Sequence, residues 1–115
     1  MSEVRIRKVE SLLLEEISEI ILKEDLKDPR INKLLSITAV EVSKDLGHAK
    51  VYVSYYGDRE TFIIMVDTLN HASGFIRGLL GKRIRLRTIP ELKFILDESI
   101  EKGFNLIRKI EETLS

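Results

Sequence analysis

The chain has 115 residues, 19 basic and 19 acidic side chains, a formal net charge of 0 and no cysteine. That length fits one domain around one core, and the missing cysteines exclude a disulfide framework, thiolate chemistry and a Cys-bound metal. No apolar run approaches a bilayer crossing, and the start MSEVRIRKVE is charged where a signal peptide is apolar, so a soluble, cytoplasmic protein is expected.

Residues 3 to about 24 carry a helical period through Ile6, Val9, Leu13, Ile17, Ile20 and Ile21, with Ser2 placed to cap and Glu3 in the first turn. Arg5, Arg7 and Lys8 gather near its start, either as a solvated face or as a contact for RNA. Asp28-Pro29-Arg30 ends the helix, because the residue before proline is pushed out of helical geometry. Leu35 to Ser43 is rich in β-branched residues and predicts a strand. Lys44-Asp45-Leu46-Gly47 predicts a turn, with Gly47 available for a positive φ. In the next strand, Ala49 to Tyr56, the residues Ala49, Val51, Val53 and Tyr55 share one face, and Lys50, Tyr52, Ser54 and Tyr56 the other. Tyr52 and Tyr56 are either base-stacking residues or ordinary half-exposed strand tyrosines.

Asp58 predicts a cap for a second helix bearing Phe62, Val66 and Leu69. Ala72-Ser73-Gly74 interrupts it, and the period resumes with Phe75, Ile76, Leu79 and Leu80, which predicts helix, kink, helix. The new helix start leaves backbone N–H groups suited to a phosphate. From Arg83 to Asp97 alternation predicts a strand, with Ile84, Leu86, Leu92, Phe94 and Leu96 inward and Arg83, Arg85, Arg87 and Lys93 towards water. Pro90 marks a bulge or an edge in it. A last helix follows Asp97, with Glu98 and Glu101 in its first turn and Ile100, Phe104, Ile107, Ile110 and Leu114 as its stripe. Ile17, Ala49, Val51, Val53, Phe62, Val66, Leu86, Phe94 and Phe104 are expected to be buried.

Between Arg77 and Lys93 six cations (Arg77, Lys82, Arg83, Arg85, Arg87 and Lys93) face one acid, Glu91, a local balance of +5 in a chain of net charge 0. Such separation points to a polyanionic partner, since counterion release depends on the contacts made and not on net charge. His48 and His71 lack the neighbours of a triad or a metal site, so no metal or cofactor is expected. Gly78-Leu79-Leu80-Gly81-Lys82 is not a phosphate loop: the glycine spacing is wrong and Arg83 stands where Ser or Thr is needed. Gly78-x-x-Gly81 imitates the GxxG loop of KH domains, but Leu79 and Leu80 are in phase with the helix.

The order α-β-β-α-kink-α-β-α resembles the bacterial ribosome-binding factor A family, whose KH-type domain has Ala72-Ser73-Gly74 in place of GxxG. The resemblance spans the chain through Asp28-Pro29-Arg30, Val40 to Leu46, Ala49 to Ser54, Ala72 to Arg77, Arg85-Leu86-Arg87, Pro90 to Phe94 and Asp97-Glu98-Ser99. It implies one α+β, KH-like domain over residues 1–115, a three-stranded sheet covered on one face by helices. It also implies a monomeric, non-enzymatic assembly factor that binds the small (30S) ribosomal subunit. Such a factor assists late maturation of 16S rRNA near its 5′-terminal helix, and its release is coupled to maturation GTPases. The basic C-terminal tail of some members is not carried over, because the chain stops at Leu114-Ser115. Ala72, Ser73, Gly74, Arg77, Lys82, Arg83, Arg85, Arg87 and Lys93 are the expected RNA-binding residues, with Arg5, Arg7 and Lys8 as a second group. The alternative is a protein–protein adaptor of the same fold that makes no RNA contact; a small hydrolase or transferase lacks a nucleophile–base pair.

Overall fold

A computed structural model describes residues 3–23 and 35–98. The expectations for Ser2, for Asp28-Pro29-Arg30 and for the helix carrying Ile100, Phe104 and Leu114 fall outside the described residues. Within them the order is α1 (Glu3–Leu22), β1 (Leu35–Val42), β2 (His48–Tyr55), α2 (Arg59–His71), α3 (Ser73–Arg83) and β3 (Glu91–Leu96). The strands form one mixed sheet in the order β1-β2-β3, β1 antiparallel to β2 and β2 parallel to β3. The crossover from β2 to β3 carries α2 and α3, as a parallel pair requires a long connection.

All three helices pack on one face of the sheet. Val9, Leu13, Ile17, Ile20 and Ile21 of α1 meet Phe62, Met65, Val66 and Leu69 of α2, Ile76 and Leu80 of α3, and the inward residues Ala49, Val51, Val53, Leu92 and Phe94. Phe94 is 2% exposed, so the strand parity holds over β3. Leu86, expected to be buried, only packs against the core from outside.

Side chains from the helices bond to both edges of this sheet. Val42 N–H on β1 donates to Glu10 Oε2 of α1 (2.8 Å). On β3, Phe94 N–H donates to Asn70 Oδ1 (2.8 Å), and Asn70 Nδ2 donates back to Phe94 O (3.0 Å). Asn70 thus offers β3 what a neighbouring strand would offer, and it fixes the end of α2, two residues before the kink, to mid-strand.

Three local expectations need correction. The positive φ of the β1–β2 turn belongs to Leu46 (φ 60°), and no described glycine has one. Asp45 Oδ1 accepts from Ser43 Oγ (2.7 Å) and from Gly47 N–H (2.9 Å), and Leu46 N–H donates to Ser43 O (2.9 Å). These bonds place the left-handed residue one position earlier, where the leucine side chain packs against the core. Next, Phe75 is 57% exposed, not part of the apolar stripe of α3. The kink resets the helical phase, and Ile76 and Leu80, four apart, become the buried line. Lastly, Arg83 belongs to no strand: it ends α3, and β3 begins only at Glu91, directly after a buried Pro90.

Candidate nucleic-acid interface

α2 starts at Asp58, whose Oδ2 accepts from the Thr61 backbone N–H (2.9 Å) and hydroxyl (2.8 Å). The Thr61 backbone bond, and then its hydroxyl, hold the Asp58 carboxyl below its ordinary value. The helix runs to His71. Ala72, at φ −89° and ψ 3°, is at once its C-cap and the N-cap of α3, with its N–H donating to Thr68 O (3.0 Å). An alanine has no side-chain oxygen to cap with, so the first turn of α3 lacks a side-chain cap. The kink is where the sequence places it, with Ala72 and Ser73 half-buried and Gly74 exposed.

Gly74, Gly78 and Gly81 recur at steps of four and three and form one exposed line along α3. A Cβ on Gly74 or Gly78 would meet nothing within 4 Å, and one on Gly81 would only touch Ile89 at 4.0 Å. Neither a turn conformation nor internal packing requires glycine there. Inside a helix, as at Gly78 and Gly81, a glycine costs up to roughly 0.8–1.0 kcal/mol of helix stability relative to alanine. What the three provide is a flat backbone surface that another chain can approach closely.

The cations divide into three groups. Lys82, Arg85 and Arg87 are exposed at the end of α3 and in the segment that follows it. Arg77 and Arg83 are engaged. Arg77 Nε–H donates to Ile89 O (2.9 Å) and so ties α3 to the 84–90 segment. Arg83 Nε–H reaches Glu16 Oε2 (2.9 Å) and Nη2–H reaches Glu19 Oε2 (2.9 Å), both on α1, with its side chain 27% exposed. The Glu16 hydrogen bond, then the two carboxylate charges, push the Arg83 guanidinium further towards its charged form. The expectation that Arg83 points to water is thereby corrected: it locks α3 to α1. Lys93 forms the third group. It points to the sheet face opposite Phe94, and hence away from the helices, beside Lys50 of β2. The kink and Lys93 therefore lie on opposite sides of the sheet, and Arg5, Arg7 and Lys8 line the exposed start of α1.

Tyr52 is on the same sheet face as Lys93, and its hydroxyl donates to Glu41 Oε2 (3.2 Å). Burial of the phenol, then the Glu41 charge, raise its pKa and keep it protonated. The ring is thus tethered beside a carboxylate, whose charge disfavours the approach of a phosphate. Tyr56 is 87% exposed and lies beyond the end of β2. Asn70 and Glu16 are the site-shaping residues that sequence patterns did not single out. Their partners lie 24 and 67 positions away, so no local spacing signals them. Among the described residues no helix is long and apolar enough to cross a membrane.

Residues 5–110 match the family model described as "Ribosome-binding factor A". A relative of that name from Dictyoglomus thermophilum is 48% identical over 108 residues, covering 94% of this chain and 89% of the relative. The crystal structure of ribosome-binding factor A from Thermus thermophilus superposes with a TM-score of 0.67 at 31% identity, covering 79% of this chain and 94% of that one. A homology model of the Thermus thermophilus factor, fitted into a cryo-electron microscopy map of its 30S complex, has a TM-score of 0.63 at 30% identity, covering 77% of this chain and 91% of that one. The helices packed on a three-stranded sheet thus have their counterparts in a known set of proteins: the chain belongs to the ribosome-binding factor A family.

Proposed function

We propose that this protein binds the small ribosomal subunit and contacts its RNA through the outer surface of α3 and the 84–90 segment. The observation that carries this reading is the line of exposed glycines, Gly74, Gly78 and Gly81, running to the exposed Lys82, Arg85 and Arg87. A smooth backbone with cations at one end suits a sugar–phosphate chain, which needs close approach and charge neutralisation but no base-specific pocket. Arg77 and Arg83 act one step behind, holding the helix on Ile89 and on α1. The partner named for the fitted relative, the 30S subunit, supports the subunit-binding part of this reading.

The protein acts in the cytoplasm as a monomer by binding and not by catalysis, assisting late maturation of 16S rRNA near its 5′-terminal helix. Its release falls to maturation GTPases. Chemical footprinting on purified small subunits taken early and late in maturation tests this. Protection of 16S rRNA beside the 5′-terminal helix, strong on immature and weak on mature particles, is the expected result. Stoichiometric binding with no RNA protection at all would instead favour the adaptor alternative.

A further inference from the structure

On α2, the residues Glu60, Ile63, Ile64, Asp67 and His71 fall at helical steps on one exposed side, opposite the buried Phe62, Met65, Val66 and Leu69. Ile63 is 48% exposed and Ile64 53%. Adjacent β-branched residues at exposed helix positions gain nothing for the helix, because they lose side-chain freedom there. Two carboxylates flank the pair, Glu60 and Asp67, with Asp67 and His71 side chains 72% and 78% exposed and 3.6 Å apart. Arg59, at the start of the helix, is turned to Glu98. Phosphates are repelled by such a face, yet it leads straight to the kink beside the cationic surface of α3.

We propose that this acidic, isoleucine-bearing face of α2 docks a Lys/Arg-rich segment with an apolar side chain, supplied by a protein component of the small subunit. The proposal rests on the subunit-binding reading above. Charge complementarity selects the occupant. A protein seated on ribosomal RNA neutralises phosphates with Lys and Arg, so the segments it presents beside that RNA are basic. The isoleucines supply apolar area at the centre and the carboxylates a polar rim, the division found in protein–protein interfaces.

The test compares wild type with two double variants, Ile63→Ser/Ile64→Ser and Glu60→Lys/Asp67→Lys. Each is titrated against purified small subunits and against protein-free RNA extracted from them, with thermal melts alongside. Both variants should bind intact subunits roughly tenfold more weakly and bind the bare RNA at least as well as wild type. The charge reversal fixes the sign: tighter binding to intact subunits by Glu60→Lys/Asp67→Lys would mean that RNA faces α2, and would overturn the proposal. Unchanged binding by both variants would overturn it too. Concentration-dependent self-association of wild type, abolished by Ile63→Ser/Ile64→Ser, would assign the face to a second copy of this chain. Failure of wild type to bind subunits would remove the parent reading, an outcome distinct from a variant effect.

Discussion

The helices on either side of Ala72 solve opposite problems. α2 begins at a carboxylate cap, buries Phe62, Met65, Val66, Thr68 and Leu69, and ends with Asn70 pinned to Phe94 of β3. α3 has no side-chain cap, buries Ile76 and Leu80, and carries glycine at three of its 11 positions. Gly57, just before α2, stands in a different setting: a Cβ there would overlap the outer end of the Tyr55 ring, which would have to move. The glycines of α3 meet no such obstacle. α2 holds the structure together, while α3 gives up roughly 1–2 kcal/mol of intrinsic helix stability at Gly78 and Gly81 and presents a smooth surface. Tertiary contacts compensate, since helices in proteins owe most of their stability to packing. For α3 those contacts are its two buried residues, the Arg77 bond to Ile89 and the Arg83 pairs with Glu16 and Glu19.

The strongest challenge to this division goes through the floor that both helices share. Phe94→Ala should cost about 3–5 kcal/mol, read from urea unfolding, because it opens a cavity under both helices. One cooperative transition is expected, and separate melting of α3 would break the comparison. Asn70→Ala leaves the Phe94 N–H and carbonyl without their partner and should cost about 1–3 kcal/mol. Hydrogen exchange at Phe94 should accelerate in that variant. Replacing Lys82, Arg85 and Arg87 together by alanine should leave the melt nearly unchanged. It should flatten the slope of log affinity against log salt by about 2–3 on subunit RNA, with one unit or slightly less from each lost phosphate contact. The smallest effect concerns the cap of α2. The folded Asp58 carboxyl titrates below its ordinary 3.8, so its contribution is complete above that pH and is lost as pH falls through the lower folded value. Asp58→Asn caps without titrating, so the stability gap between wild type and variant should close on acidification, as followed by thermal melts from neutral pH to below 3.8.

Features with local causes were legible in the sequence: the Asp58 cap, the inward parity of Ala49, Val51, Val53 and Phe94, and the interruption at Ala72. Each depends on residues within a few positions of one another. Failures arose where one pattern serves two structures. Arg83-Ile84-Arg85-Leu86-Arg87 alternates as a strand does, yet its first residue closes a helix, because the acids that bind Arg83 come from α1. Phe75 looked apolar and in phase because a kink shifts the phase by an amount that spacing alone does not give. Leu46 took the left-handed position that Gly47 was suited for, under the control of the Asp45 side chain. The charge run was visible, but its division into exposed, engaged and opposite-face cations depends on the packing of three helices on one side of the sheet.

The exchange of helix stability for surface is tested most directly by Gly78→Ala/Gly81→Ala, measured for both unfolding and binding to purified small subunits. Both positions are helical with room for a methyl group, so the double variant should be about 1–2 kcal/mol more stable than wild type. It should bind subunits more weakly although no charge has been removed, and its salt slope should stay the same. A variant that is more stable and binds as tightly as wild type would contradict the account, since the glycines would then serve no approaching partner.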